Sequence, residues 1–116
     1  MRNQPIDRGS PLRLRELTSS GFDISHQGVV LSGLADHHRI AVVVTPAAIG
    51  TAFPTIATTT QCVAFVERNL VALKDIANGK LRNGNSSARP AGVWSGETLV
   101  EVTALDILRS KRWLTP

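Results

Sequence analysis

The stretch Gln61–Leu81, QCVAFVERNLVALKDIANGKL, constrains the fold more than any other part of the chain. At 100° per residue, Cys62, Val63, Val66, Leu70, Leu73, Ile76, Ala77 and Leu81 share one arc, and Glu67, Arg68, Lys74, Asp75, Asn78 and Arg82 share the opposite one. This pattern predicts one long amphipathic helix laid on a core. Gly79 weakens its last turn, and Gly84 is a natural left-handed stop. Two positions depart from the pattern. Asn69 falls at the side of the apolar arc, where a buried amide must find hydrogen-bond partners, so it is expected to pin a backbone segment of the loop or the sheet. Val71 lies on the otherwise polar side. Next to Asn69, Arg68 points towards the polar side, where it can pair with Asp75 or Glu67 or anchor an acidic partner.

The core under this helix must be aliphatic, since the chain is 42% hydrophobic but only 4% aromatic. Its other face is supplied by Gly28–Leu34 and Arg39–Val44, two β-branched runs suited to a pleated sheet. The second run is apolar on both faces, which places it in mid-sheet. Ala35-Asp36-His37-His38 between them reads as a hairpin loop. Thr45-Pro46 opens a short helix, Thr45 capping and Pro46 filling the first helical position, and Pro54 ends it. Thr55–Thr60 offers further N-cap candidates. Glu97–Thr103 alternates as a third strand, and Thr103 with Asp106 caps a last helical turn. The expected architecture is α+β, in the order β-β-α-α-β, with one short and one long helix on one face of a small sheet.

A chain of 116 residues is of single-domain length. Residues 1–21, punctuated by Pro, Gly and Ser, read as a flexible basic arm within which Leu12–Leu17 could form a short edge strand. Residues 22–108 read as the domain, with 82–96 as a mobile loop, and 109–116 as a basic tail. The net charge is +4, and residues 22–81 carry four acids against four bases. The excess therefore lies on the flanks and in the loop. Cys62 is the single cysteine, so no internal disulfide can form. No apolar run approaches the roughly 20 residues of a bilayer span, and none marks a signal peptide. A cytoplasmic protein without membrane contact is expected.

Several of these pieces together resemble a known family. They are the hairpin Val29–Leu34 and Arg39–Val44, the helix start Thr45-Pro46, the helix motif Phe65-Val-Glu-Arg-Asn-Leu-Val71, and the terminal Leu99-Val-Glu-Val-Thr-Ala-Leu-Asp106. The pattern, over roughly residues 22–108, is similar to the small bacterial domain of unknown function family numbered 1488. The resemblance implies a compact α+β domain without an established activity and carries over no catalytic residues. The arm at 1–21 and the length of the 82–96 loop depart from the usual member.

The candidate sites are few. His37 and His38 are adjacent, so in a strand or a tight turn their side chains diverge. His26 lies at the other end of the first predicted strand, about 20 Å or more away at about 3.3 Å per residue. A zinc site needs three or four converging ligands, so neither a metal nor any other cofactor is expected. Cys62, at the helix start, reads as a small buried hydrophobe. Gly79-Lys80 and Asn83–Ser87 lack the strand–loop–helix order of a phosphate loop. Arg13, Arg15, Arg109, Lys111, Arg112 and Trp113 are candidate contacts for nucleic acid or an acidic partner, by phosphate pairing and base stacking. Nothing in the sequence assembles an acid, a base and a nucleophile. The leading expectation is a non-enzymatic interaction or accessory module. It would act through a sheet edge or a helix surface around Arg68 and Val71, on a second copy of itself or on another protein. Weak nucleic-acid binding through arm and tail is the alternative.

Overall fold

A computed structural model describes residues 13–35, 38–84, 87–88 and 98–116. Residues 1–12 of the expected arm, His37, and most of the 82–96 loop with Trp94 lie outside the described residues. The chain is α+β, as expected. Three antiparallel strands, β1 (Leu17–Asp23), β2 (Gly28–Ala35) and β3 (His38–Val44), lead into helices α1 (Pro46–Ala52), α2 (Thr59–Arg68) and α3 (Leu70–Arg82). The chain then returns through β4 (Ser87–Ala88) and β5 (Thr98–Val102) to α4 (Ala104–Arg109) and a 3-10 turn, Lys111–Trp113. The sheet order is β1-β2-β3-β5-β4, with β5 parallel to β3 and β4 antiparallel to β5.

Alternation along the strands sorts the side chains. Val29, Leu31, Ile40, Val42, Val44, Val100 and Val102 form one core with Ile49, Phe65, Val66, Leu73 and Ile107 of the helices. Val30, Ala41 and Val43 form a smaller cluster with Leu99 on the opposite face. The helices therefore cover one face, and β3 is apolar on both because it lies in mid-sheet. Ala35 pairs with His38, so the hairpin is formed and His38 stands exposed at its end.

The caps form where the sequence puts them. Thr45 accepts from the Ala48 N–H at 3.2 Å. Thr58 and Gln61 make a reciprocal capping box for α2, and Thr103 and Asp106 make one for α4. These satisfy N–H groups that the first helical turn leaves without partners.

Four expectations are corrected. The predicted arm is not a free segment up to residue 21: Leu14 is 1% exposed, and β1 begins at Leu17. The leading strand makes the order β-β-β before the helices. Gly33 makes room for it, since a Cβ there would stand 2.5 Å from the Glu16 carbonyl oxygen and 2.8 Å from a Leu14 methyl carbon. The predicted single helix 61–81 is two helices, broken at Asn69, whose backbone (φ −118°, ψ 27°) is not helical. The loop 82–96 contains the paired rung Ser87–Ala88. The tail 109–116 is not free either, because Leu114 is buried.

Candidate contact groove

The break at Asn69 borders a concave surface. Asparagine hydrogen-bonds nearby backbone more readily than it propagates a helix. Here its amide nitrogen donates to the Phe65 carbonyl at 2.8 Å and to the Thr115 carbonyl at 2.7 Å. Its side-chain oxygen accepts from the Thr115 N–H at 2.7 Å. The amide thus acts as a short stretch of β-ladder for the C-terminal segment. The expectation that Asn69 pins a backbone segment holds, but the segment is the tail, not the loop or the sheet. Leu114 beside it fills the core, and the 3-10 turn presents Trp113 outward.

A groove of roughly 760 Å³ lies between this segment and the helices. Arg68, Leu70, Val71, Asp75 and Ile76 line it from α2 and α3, with Glu67 beside them, and Ser110, Trp113 and Thr115 line it from the C-terminal side. Val71 is 72% exposed and Trp113 69%, although both are large apolar side chains. The sequence candidates Arg68, Asn69, Val71 and Trp113 are brought together here. Arg68 does not take up the pairing with Glu67 or Asp75 that the sequence offers: none of the three forms an ion pair among the described residues.

The remaining candidates do not join the groove. Arg13 and Arg15 are exposed on either side of Leu14, which the Asn78 amide holds by accepting from its N–H at 2.7 Å and donating to its carbonyl at 3.2 Å. Asn78 follows Asn69 by nine residues, about 13 Å along a helix. Lys111 sits 5.4 Å over the Phe53 ring, and the Arg112 guanidinium 5.4 Å over that of Trp113. Arg109 ends α4, the helix that packs against α1.

Asn78, placed on the polar arc by periodicity, is 7% exposed. Its signal was faint: an amide next to Gly79 at the margin of an apolar face.

Sequence reasoning also missed Asp23 and His26. The Asp23 carboxylate accepts from the Ser25 N–H at 2.9 Å, from the Ser25 hydroxyl at 2.7 Å and from His26 Nδ1 at 3.0 Å. The bonds from Ser25 first, then His26, bring its pKa down to about 2. An ionised carboxylate only accepts, so Nδ1 carries the ring proton. Nε2 is buried without a partner. This turn borders a second, smaller concavity of roughly 310 Å³ with Ser20, Phe22, Val30, Ser32 and Ala41. The Asp-x-Ser-His spacing was its legible sign.

Cys62 is fully buried in the core beneath the helices, and burial pushes its thiol pKa up. A buried, protonated thiol is a poor nucleophile. It belongs to the helix-covered core, whereas the concavity beside His26 includes Val30 and Ala41 of the opposite face. No cluster of three or more metal-ligating side chains occurs among the described residues. No helix among them is long and apolar enough to cross a membrane.

Comparison of the chain with protein-family models, with curated proteins and with solved structures finds no match.

Proposed function

We propose that this protein is a non-enzymatic contact module that binds a protein partner in the groove between α2, α3 and the C-terminal segment. The observation that carries this reading is that Val71 and Trp113, both largely exposed, line one groove whose charged groups Arg68, Glu67 and Asp75 are unpaired among the described residues. A concave surface with apolar side chains and a charged rim is the usual anatomy of a protein-binding site.

The helix surface is favoured over the sheet edge for a physical reason. Strand addition needs a regular unpaired edge. β1 is irregular between Ser19 and Phe22, where Gly21 takes φ +83°, and the other edge is the two-residue β4. The groove also suits a protein better than a phosphate backbone, because Glu67 and Asp75 oppose the single guanidinium of Arg68. The nucleic-acid alternative draws on the exposure of Trp113, yet Arg112 already lies against that ring.

The test is a photo-activated cross-linking side chain placed at Val71 in cells that make the protein natively, with one at exposed Thr51 as control. A single discrete adduct from position 71, absent from position 51 and lost when Arg68→Asp is added, is expected. No adduct, or the same adducts from both positions, would overturn the reading.

A further inference from the structure

We infer that the concavity beside His26 is a binding site for a small uncharged molecule with an apolar body and one hydroxyl or N–H donor, which bonds His26 Nε2. Val30 and Ala41 put the site on the sheet face opposite the helices, and it shares no lining residue with the groove, so it goes beyond the contact reading.

The His26 side chain is only 10% exposed, and its Nδ1 bonds the Asp23 carboxylate at 3.0 Å. An ionised carboxylate only accepts, so the ring proton is on Nδ1 and Nε2 carries a lone pair. That lone pair is buried and has no partner among the described residues. Such atoms are rare in folded proteins, because each gives up its bond to water and gains none. The two ring nitrogens point in divergent directions. With Nδ1 held at the turn, Nε2 faces away from it, and the ring lines the concavity. A lone pair there calls for a donor.

The rest of the lining defines the body of the ligand. Phe22, Ile24, Val30 and Ala41 are apolar, and the Ser20 and Ser32 hydroxyls stand 3.3 Å apart. At roughly 310 Å³ the concavity is at the lower end of ligand-site volumes, enough for one ring with a short head group. Among the described residues its lining holds Asp23 but no lysine or arginine, which disfavours an anion. The Asp23 charge is already met by Ser25 and His26, so no cation is called for.

Probes with one body and different head groups test this. Benzyl alcohol carries a donor, toluene carries none, and benzoate is an anion that only accepts. Each is titrated into the full chain and followed by NMR at Val30, Ala41 and the His26 ring nitrogens. In the free protein Nδ1 should be protonated and Nε2 bare. Benzyl alcohol should shift Val30 and Ala41 and move the Nε2 resonance. Toluene should bind about tenfold more weakly, since it leaves Nε2 unbonded, and benzoate should not bind. In His26→Asn the amide can still donate to Asp23 but offers nothing in place of Nε2, so the preference for benzyl alcohol over toluene should vanish. Thermal melting checks that this variant folds, and the wild-type Nε2 resonance decides the matter if it does not. A protonated Nε2, no shift with benzyl alcohol, toluene bound as tightly, benzoate bound best, or an Nε2 resonance that stays fixed while Ala41 shifts would each overturn the inference. So would a folded His26→Asn that keeps the preference. None of these outcomes bears on cross-linking at Val71, which tests the groove separately.

Discussion

The two ends of the described chain are held by the same device and serve different purposes. Leu14 is gripped by the side chain of Asn78 and Thr115 by that of Asn69, each through one donated and one accepted bond. At the N-terminal end the grip lies inside a continuous helix and seals Leu14 and Leu17 against Gly33. At the C-terminal end the grip coincides with a helix break, buries Leu114, and leaves Trp113 exposed at the groove. The first is a stitch that closes the core. The second closes the core and also builds one wall of the contact surface. An amide can serve both ends because its two groups mimic a peptide unit, which satisfies buried backbone that would otherwise be costly to desolvate.

Truncating the leucines separates the ends most strongly. Leu14→Ala should cost about 2–5 kcal/mol in denaturant unfolding, and Leu114→Ala, at the margin of the core, about 2 kcal/mol. The reverse order would mean that the N-terminal stitch is the weaker one.

Removing the amides sharpens the contrast. Asn78→Ala and Asn69→Ala should each lose about 1–3 kcal/mol, because each strands backbone groups. Only Asn69→Ala should also reduce cross-linking from Val71. Equal effects on cross-linking would remove the distinction between stitch and wall.

Acid probes both ends through their carboxylates. Burial pushes the Asp106 carboxyl up, but bonds from Lys80 at 2.7 Å and from Thr103 outweigh it and hold it below the ordinary range. Asp23, near the other end, is lowered to about 2. Both folded values lie below the unfolded ones, so both groups stabilise above the ordinary carboxylate pKa and lose that contribution as pH falls through the folded values. Melting temperature should therefore fall from near pH 4 towards pH 2, and Asp106→Asn should flatten part of the slope, worth under about 1 kcal/mol. A slope unchanged in Asp106→Asn would mean that the Lys80 pair contributes nothing.

The smallest effect is expected at the exposed bases. Arg13→Ala and Arg15→Ala should change stability by less than about 0.5 kcal/mol by thermal melting, while Leu14 between them dominates.

What the sequence disclosed follows from the range of the interactions involved. The hairpin, the Thr45, Thr58 and Thr103 caps and the aliphatic core are encoded within a few residues, and all were legible. So was Val71, as one of two departures from a clear period. Arg68, placed on the polar arc, is exposed, and Phe65, which the apolar arc did not include, is fully buried. The flanks were misread because their partners are remote. Leu14 meets Asn78 at a separation of 64 residues, and Thr115 meets Asn69 at 46. A helical projection cannot know that another segment will cover its margin, so Asn78 looked polar-facing. At the break, the Asn69 side chain bonds the remote Thr115, which local sequence does not announce. β1, LTSSGFD, is a mostly polar edge strand, and its apolar alternation is too slight to announce it.

The most direct test of this account is amide hydrogen exchange at Leu14 and Thr115, measured by NMR on the full chain. Both N–H groups donate to buried asparagine side chains, so both should exchange far more slowly than an unstructured peptide, and each should lose protection only when its own asparagine is replaced by alanine. Exchange at the unstructured rate in the wild-type protein would return the two ends to free basic flanks and take away the wall of the groove.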